Sequence, residues 1–330
     1  HDVHCVLDFQ LLIKGYMDRM IEDSTTGFSV SGLEHLDPAR AHLFISNHRD
    51  ITMDPAFTNY ALHMAGHQTL RIAIGDNLLT KPWVSDLMRL NKSFIVRRNV
   101  AGPRELLAAS RNLANYIQHS IQVENNPVWI AQREGRAKDG KDRTEPAVIK
   151  MLGMSRDKQT QDFGEHIAGL GIVPVAISYE LDPCDRLKAH ELHALAELGK
   201  YEKGAQEDVA SIGQGITGQK GRVHVSFGTP LDAGFENADQ VAQAVDRQVI
   251  DLYCLHPSNL FAYDMLYGEY GPVPEGLYLE EGDCDRAGFE ARINALPEAH
   301  RPYALAIYAN AVVSKLDQAE EQPEPVQYPC

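Results

Sequence analysis

Apolar residues recur at a helical spacing at the start of the chain, between residues 5 and 22. They fall on one face of a predicted helix: Val6, Phe9, Leu12, Ile13, Tyr16, Met17 and Met20. A helix with one apolar face packs against a domain or lies on a membrane surface, and both interpretations remain open. We therefore predict an N-terminal amphipathic helical segment over residues 1–26.

Between residues 27 and 235, short runs rich in β-branched and aromatic residues alternate with longer stretches of helical periodicity. The predicted strands are Phe28–Val30, His42–Ser46, Leu70–Ile74, Phe94–Val96, Val128–Ala131, Ile172–Ser178 and Arg222–Phe227. The predicted helices lie near residues 53–65, 78–90, 103–120, 147–153, 188–200 and 237–255. Such alternation is typical of an α/β domain in which helices cover a central sheet.

The run from Ile172 to Ile177 is apolar on both faces, as a strand covered on both sides requires. Pro174 interrupts this run, and because proline cannot donate to a ladder we expect an edge position or a strand start there. After residue 256 the strand signals stop. Residues 236–330 are therefore predicted to form a helical extension, which ends in a disordered tail rich in proline and acidic residues.

The chain has 330 residues, of which 44% are hydrophobic and 23% charged, as is ordinary for a globular protein with a sizeable core. Its net charge of -15 argues against nucleic acid as the main partner, because binding to a phosphate backbone needs a basic field. Five basic residues nevertheless cluster within eleven positions: Arg133, Arg136, Lys138, Lys141 and Arg143. A local basic pocket in an acidic protein suits a small anionic ligand.

The five cysteines are odd in number and form no Cys-x-x-Cys pair: Cys5, Cys184, Cys254, Cys284 and Cys330. This usage fits a reducing compartment and argues against a disulfide framework or a zinc site. No apolar run reaches the roughly 20 residues of a membrane-spanning helix. We therefore expect a cytoplasmic protein, soluble or peripheral at the membrane, with no bound metal.

The first candidate site follows the apolar run 43–45 and has the sequence Ser-Asn-His-Arg-Asp-Ile-Thr-Met-Asp over residues 46–54. A polar turn after a strand lies at the carboxyl edge of the sheet, where open α/β sheets bind ligands. An imidazole can take a proton from an attacking hydroxyl, and a carboxylate can orient it. His48 with Asp54, or with Asp50 as the less favoured acid, supplies both groups. Taken alone, a histidine near an acid is more often structural.

The second candidate is the loop over residues 132–141, directly after the predicted strand Val128–Ala131. Two glycines let the backbone approach a ligand, and the basic side chains can donate to phosphate. The candidate ligand-binding residues here are Arg133, Glu134, Gly135, Arg136, Lys138 and Lys141. A solvated charged loop is an equally good interpretation of this segment by itself.

Two further segments are less specific. The stretch 92–98 ends in paired arginines, Arg97 and Arg98, which singly are more often surface or ion-pair residues. The stretch 173–180 is by itself a core strand.

Together and in this order, the four segments resemble the glycerolipid acyltransferase family, which includes glycerol-3-phosphate and 1-acylglycerol-3-phosphate acyltransferases. The resemblance covers roughly residues 28–230. It is carried by Asn47-His48 with a following acid, Gly75-Asp76-Asn77-Leu78 leading to Phe94–Arg97, Glu134-Gly135-Arg136, and Val173-Pro174-Val175. The Gly-x-Asn-Leu and Glu-Gly-Arg-x-Lys-x-Gly elements look closer to the glycerol-3-phosphate branch. The resemblance implies an α/β fold with a mixed, largely covered central sheet.

The resemblance also implies roles for matching residues. His48 would be the general base, and the acid downstream would orient it. Arg97 and Arg136 would hold the acceptor phosphate, with Glu134 near the glycerol hydroxyl. The strand with Val173, Pro174 and Val175 would line the acyl-binding side. On physical grounds we add Lys138 and Lys141, which could reach the phosphate or the phosphopantetheine of the acyl carrier.

One position departs from the family pattern, in which four residues separate the histidine from the acid. That spacing would place the acid at Met53, whereas Asp54 follows His48 after five residues. One residue on a helix rotates a side chain by about 100°, so the turn before the helix must absorb the difference. Asp50 is the alternative acid.

A thioester has a good leaving group, so base-assisted direct attack needs no covalent acyl-enzyme. We expect acyl-CoA or acyl-carrier protein as the acyl donor and no cofactor. Three alternatives remain open: an acceptor without phosphate or with an amine, an inactive protein that binds acyl or lipid groups, and thioester hydrolysis.

Overall fold

The computed structural model describes residues 4, 6–78, 86, 88–97, 100–204, 206–268 and 284–321. Arg98, most of the helix predicted near residues 78–90 and most of the predicted tail lie outside these residues.

The described residues form a seven-stranded sheet in the order β1-β7-β6-β2-β5-β3-β4. The strands are β1 Gly27–Ser31, β2 Leu43–Ser46, β3 Arg71–Gly75, β4 Ser93–Val96, β5 Val128–Ala131, β6 Ile172–Tyr179 and β7 Arg222–Phe227. Neighbouring strands are parallel except β6 and β7, which are antiparallel. The mixed α/β sheet expected from the sequence is therefore confirmed, and each predicted strand agrees with the structure to within one residue at either end.

Helices flank this sheet on both faces. We label them α1 Val6–Ser24, α2 Met53–Met64, α3 Pro103–Gln122, α4 Pro146–Leu152, α5 Phe163–Leu170, α6 Asp185–Leu198, α7 Glu207–Thr217, α8 Ala238–Leu252, α9 Pro257–Tyr267, α10 Arg286–Asn294 and α11 Arg301–Glu321. Helices α5 and α7 were not predicted from the sequence. Helix α5 has only eight residues, although a capping box of Asp162 and Glu165 marks its start. Helix α7 contains Gly213 and Gly215, which weaken its helical signal.

Pro174 is not at an edge or a strand start, as the sequence suggested, because β6 lies between β2 and β7. The antiparallel pairing of β6 with β7 begins one residue later, where Val175 faces Phe227. The carbonyl oxygen of Pro174 accepts a hydrogen bond from the backbone N–H of Gly228 at 2.8 Å. The nitrogen and the carbonyl of a strand residue point to the same side, so the Pro174 nitrogen points toward β7. It lies beyond the last β6–β7 pair, Val175 with Phe227, and the missing N–H therefore costs no hydrogen bond of the sheet.

The two faces of the sheet bury separate apolar clusters. One includes Ile130, Ile167 and Val245, and the other includes Phe44 and Phe57. Because Val245 belongs to α8, the first helix of the predicted extension packs into the same core as the sheet. A third cluster joins the C-terminal helices to one another.

The N-terminal helix α1 packs through Met17 and Met20, which are 7% and 6% exposed. Its outer side chains Leu11, Leu12 and Tyr16 remain about half exposed, at 50%, 53% and 51%. The helix therefore packs on the domain and still presents apolar residues outward. No helix in the described part of the chain has both the length and the apolarity needed to cross a membrane.

Candidate functional site

The turn that carries His48 leaves the carboxyl end of β2 and leads into α2. Asn47 anchors this turn, because its side chain accepts from the backbone N–H of Ile177 at 2.8 Å and donates to the Ile177 carbonyl at 3.1 Å. The same amide donates to Asp142 at 3.1 Å. The asparagine of the Asn-His pair therefore ties β2 to β6 and to the loop after β5.

Asp54 is the partner of His48. Its carboxylate is fully buried, and its Oδ2 lies 2.9 Å from His48 Nδ1. The backbone N–H groups of Arg49 and Asp50 donate to the same oxygen at 2.6 and 2.9 Å, and the Tyr179 hydroxyl donates to Oδ1 at 2.7 Å. Because a carboxylate only accepts, Nδ1 carries the imidazole proton, and Nε2 is the nitrogen able to accept another.

The one-residue shift in the motif is absorbed before the helix. Helix α2 begins only at Met53, so residues 49–52 form a turn that wraps around the Asp54 carboxylate. Met53, at the position where the family pattern has its acid, is 2% exposed in the apolar core. The structure thus gives the acid a contact with His48 despite the longer spacing.

Asp50 has a different place. Its Oδ1 accepts from the backbone N–H groups of Thr52 and Met53 at 2.9 and 2.8 Å, which caps the start of α2. Burial raises the pKa of Asp50, and the nearby Asp54 carboxylate raises it further. No hydrogen bond joins Asp50 to His48 among the contacts of the described residues.

The loop over residues 132–142 lies against the His48 turn. The backbone N–H of Ala137 donates to the His48 carbonyl at 2.8 Å, and that of Gln132 donates to the Ser46 carbonyl at 2.9 Å. Gly135 and Gly140 both have left-handed backbone, with φ of 73° and 78°. The two segments that the sequence singled out therefore meet at one edge of the sheet.

The basic side chains of this loop point to different partners. Arg136 donates to the Ser211 hydroxyl of α7 at 2.7 Å, and Lys138 forms an ion pair with Glu191 of α6. The Nε atom of Arg133 is buried and has no hydrogen-bond partner within the described ranges. Arg136 and Lys138, both predicted to bind substrate, are thus engaged within the protein. The Lys141 ammonium has no hydrogen bond or ion pair with any described residue.

A cavity of about 950 Å³ opens beside this edge, between β3, β4, β5, α3 and α4. Its lining is mainly apolar and includes Phe94, Ile95, Val96, Leu113, Ile130 and Met151. Arg97, Arg133 and Glu134 also line it, so the structure brings these three predicted residues together. His48 is not among the lining residues, but β2, which leads to it, is hydrogen-bonded to β5.

The predicted acyl-binding residues Val173, Pro174 and Val175 are fully enclosed in β6 and do not line this cavity. Strand β6 lies inside the sheet with helices over both faces, so its side chains pack in the core. Their burial argues against the predicted role.

Three residues that hold the site were not predicted from the sequence. Tyr179 donates to Asp54, as described above. The guanidinium of Arg49 donates to Asp142 Oδ2 at 2.7 Å and to the Gly140 and Ile307 carbonyls at 3.0 and 3.3 Å. Lys188 contacts the Arg49 carbonyl at 2.7 Å. No sequence signal could have identified Lys188, because 139 residues separate it from Arg49.

No group of three or more His, Cys, Asp or Glu side chains is arranged to hold a metal ion in the part of the chain that the structure describes.

Residues 27–178 match the family model described as Acyltransferase, and this stretch contains His48, Asp54, Arg97 and the 132–142 loop. No curated protein sequence matches the chain significantly. Among solved structures, the chain is similar to the 1-acyl-sn-glycerophosphate (LPA) acyltransferase PlsC from Thermotoga maritima. The two are 16% identical, the match covers 74% of this chain and 78% of that chain, and the TM-score is 0.42.

Proposed function

Because residues 27–178 of this chain match the acyltransferase family, we propose that the protein is an O-acyltransferase of glycerophospholipid synthesis. It moves a fatty acyl group from acyl-CoA or acyl-carrier protein to a hydroxyl of glycerol-3-phosphate or 1-acylglycerol-3-phosphate. The family match agrees with the acyltransferase resemblance seen in the sequence. The acyl donor and the acceptor are what we propose beyond that match.

The observation that carries the proposal is the His48–Asp54 pair at the carboxyl edge of β2. Nε2 of His48 takes the proton of the acceptor hydroxyl as its oxygen attacks the thioester carbonyl carbon. The tetrahedral intermediate then collapses, the C–S bond breaks, and the thiolate leaves with the proton from the imidazolium. Proton transfer of this kind contributes roughly 10²–10⁴-fold to the rate, and positioning of the two substrates supplies much of the rest.

Residues at the cavity support an amphiphilic phosphate-bearing substrate. Arg97 and Arg133 offer guanidinium donors, and the buried Nε of Arg133 has no partner in the described protein. The apolar lining suits a fatty acyl chain. We place the phosphate near Arg97 and Arg133, the glycerol hydroxyl near Glu134, and the acyl chain in the cavity instead of at Val173–Val175.

We also propose that the protein works in the cytoplasm and touches the membrane surface through α1. The exposed Leu11, Leu12 and Tyr16 support this contact, since they are apolar side chains on the outer side of a helix whose other side is packed. The reaction as proposed uses no metal or cofactor.

An acceptor panel tests the proposal. Thiol release from palmitoyl-CoA is measured with glycerol-3-phosphate, 1-acylglycerol-3-phosphate and their phosphate-free counterparts, for wild type, Arg97→Ala and Arg133→Ala. We expect the KM for phosphate-bearing acceptors to rise roughly 10- to 100-fold in both variants, because each loses a charged hydrogen bond. Arg111→Ala is the matched control, since Arg111 is exposed on α3 and does not line the cavity.

Three results would contradict the proposal. An unchanged KM in both variants would indicate an acceptor without phosphate. Binding of palmitoyl-CoA without turnover on any acceptor would indicate an inactive binding protein. Thiol release that does not depend on an acceptor would indicate hydrolysis.

A further inference from the structure

A buried ammonium group lies directly behind the His48–Asp54 pair. Lys188 of α6 is only 1% exposed. Its Nζ forms an ion pair with Asp182 and donates to the backbone carbonyl of Arg49 at 2.7 Å. A charge removed from water needs a partner, and Asp182 provides one. The ion pair does not explain the second contact, which is made with the residue next to His48.

The carbonyl that Lys188 contacts belongs to the peptide group joining Arg49 to Asp50. The N–H of this same peptide group donates to Asp54 Oδ2 at 2.9 Å. That oxygen also accepts from His48 Nδ1 at 2.9 Å. One amide therefore connects the ammonium to the carboxylate that orients the base. A hydrogen bond to an amide oxygen polarises the amide and makes its N–H a stronger donor.

We propose that Lys188 is a positioning residue that acts on His48 through the Arg49–Asp50 peptide and Asp54. Its positive charge strengthens the hydrogen bond to Asp54, favours the ionised carboxylate and opposes formation of the imidazolium. We therefore expect loss of this charge to make the His48 imidazole easier to protonate. The inference rests on the proposed role of His48 as general base.

Other charged groups surround the pair. The titratable and charged residues on the packed elements include Arg49 and Asp50 of the turn, Tyr179 of β6, Asp182 and Cys184 after β6, Arg133, Glu134, Arg136, Lys138, Asp139, Lys141 and Asp142 of the loop after β5, Asp185, Lys188 and Glu191 of α6, and Lys220 after α7.

Among the basic residues, Arg49 is engaged by Asp142 and by two carbonyls, and Arg136 donates to Ser211. Lys188 differs from both arginines because its ammonium donates to the carbonyl of the Arg49–Asp50 peptide, whose N–H donates to Asp54. Burial opposes ionisation of Asp182, yet the Lys188 ammonium leaves the pKa of that carboxyl lowered. Because Asp182 offsets part of the lysine charge, the two residues must be changed singly and together.

The test measures the protonation of His48 in the resting protein. The imidazole C–H signal of His48 is followed by NMR from pH 5 to 9 in wild type and Lys188→Met, and is assigned by its loss in His48→Gln. We expect the titration midpoint to move to higher pH in Lys188→Met by about one unit, the effect of a nearby unit charge in partly buried surroundings. The acidic limb of the kcat/KM profile should move in the same direction.

Two further variants make the result decisive. Lys188→Met/Asp182→Asn leaves no unpaired buried charge, and the introduced asparagine keeps an oxygen that can accept from the Cys184 N–H, as Asp182 does. It should shift the midpoint in the same direction, and it carries the test if the single variant does not fold. Lys315→Met is the matched control, because the buried Lys315 ammonium also donates to two backbone carbonyls, those of Ile250 and Asp251.

The outcomes separate the two proposals. A His48 midpoint that stays in place in the folded single or double variant would make Lys188 a structural tether and overturn the inference. A shifted midpoint in a protein that transfers no acyl group would support the role of Lys188 and reject the proposed reaction. His48-dependent turnover without a shift would support the reaction alone.

Discussion

Four hydrogen-bond donors converge on the carboxylate of Asp54, and they show why this acid and not Asp50 contacts His48. The chain around residues 49–52 turns so that two backbone N–H groups and the imidazole reach one oxygen. The sequence could identify His48 and both acids, since these residue types follow a predicted strand. It favoured Asp54 over Asp50 but could not settle the choice, because the contact with His48 depends on where α2 begins.

Replacement of the two acids by asparagine should separate their roles. Asp54→Asn places an amide where three donors converge, so we expect kcat to fall by roughly 10²–10⁴-fold, the value of a well-oriented base. Asp50→Asn keeps the Oδ1 acceptor for Thr52 and Met53, so kcat should change only a few-fold. The measurement is steady-state thiol release. A greater loss in Asp50→Asn than in Asp54→Asn would make Asp50 the orienting acid.

Asp50 should also affect stability in a pH-dependent way. Burial and Asp54 raise its pKa, so the folded state binds this proton more tightly than the unfolded state. Its contribution to stability is therefore lost as the pH rises above the ordinary aspartate value toward the raised one. We expect Asp50→Asn to be more stable than wild type at pH 7, with the difference vanishing below about pH 4. Denaturant unfolding at both pH values measures it, and an equal difference at both would contradict the account.

At the scale of elements, the sequence predicted the strands well and their contacts poorly. β-branched runs identify seven strands. The order of these strands in the sheet, and the antiparallel pairing of β7 with β6, depend on contacts between distant segments. The same limit applies to the loop, where residue types suggested that Lys138 meets a substrate, whereas the fold gives it Glu191. Ion pairs between distant segments leave no local pattern in a single sequence.

The two glycines of the loop provide a matched pair for testing its packing. A Cβ on Gly140 would lie 2.2 Å from the Ile307 carbonyl oxygen, whereas a Cβ on Gly135 would meet nothing within 4 Å. Gly135→Ala should cost roughly 1 kcal/mol of unfolding free energy from left-handed backbone alone. Gly140→Ala should cost at least about 2 kcal/mol, because the loop must also move away from α11. Equal losses of unfolding free energy in the two variants would show that the Ile307 carbonyl of α11 does not exclude a side chain at position 140.

At the scale of the whole molecule, the C-terminal helices support the site. Helix α11 supplies the Ile307 carbonyl to Arg49, and Asn310 donates to the Asp139 carbonyl at 2.7 Å. The sequence predicted a helical extension over residues 236–330, but no pattern showed which face of the domain it covers. Its contacts make the extension part of the structure that holds the 132–142 loop.

Two buried lysines should make a contribution to stability that increases toward alkaline pH. Burial lowers the pKa of Lys220 and Lys315 from 10.5 to about 8. Between these values the unfolded chain binds the two protons and the folded chain does not, so their contribution to stability increases as pH rises. We expect the unfolding free energy of Lys220→Met and Lys315→Met, relative to wild type, to decrease between pH 7 and pH 10.

Lys200→Met serves as the control, because the Lys200 side chain is 75% exposed. Its difference from wild type should be the same at both pH values. A constant difference for Lys220→Met and Lys315→Met as well would contradict the expected linkage.

The central claim, that His48 is the base of an acyl transfer, is tested most directly by turnover and binding in the same pair of proteins. Acylated product is quantified by mass spectrometry with palmitoyl-CoA and a glycerol-phosphate acceptor, and palmitoyl-CoA affinity is measured by calorimetry. We expect His48→Ala to lose roughly 10²–10⁴-fold in turnover with affinity nearly unchanged, while His35→Ala, at an exposed histidine, matches wild type. Undiminished turnover in His48→Ala would contradict the account.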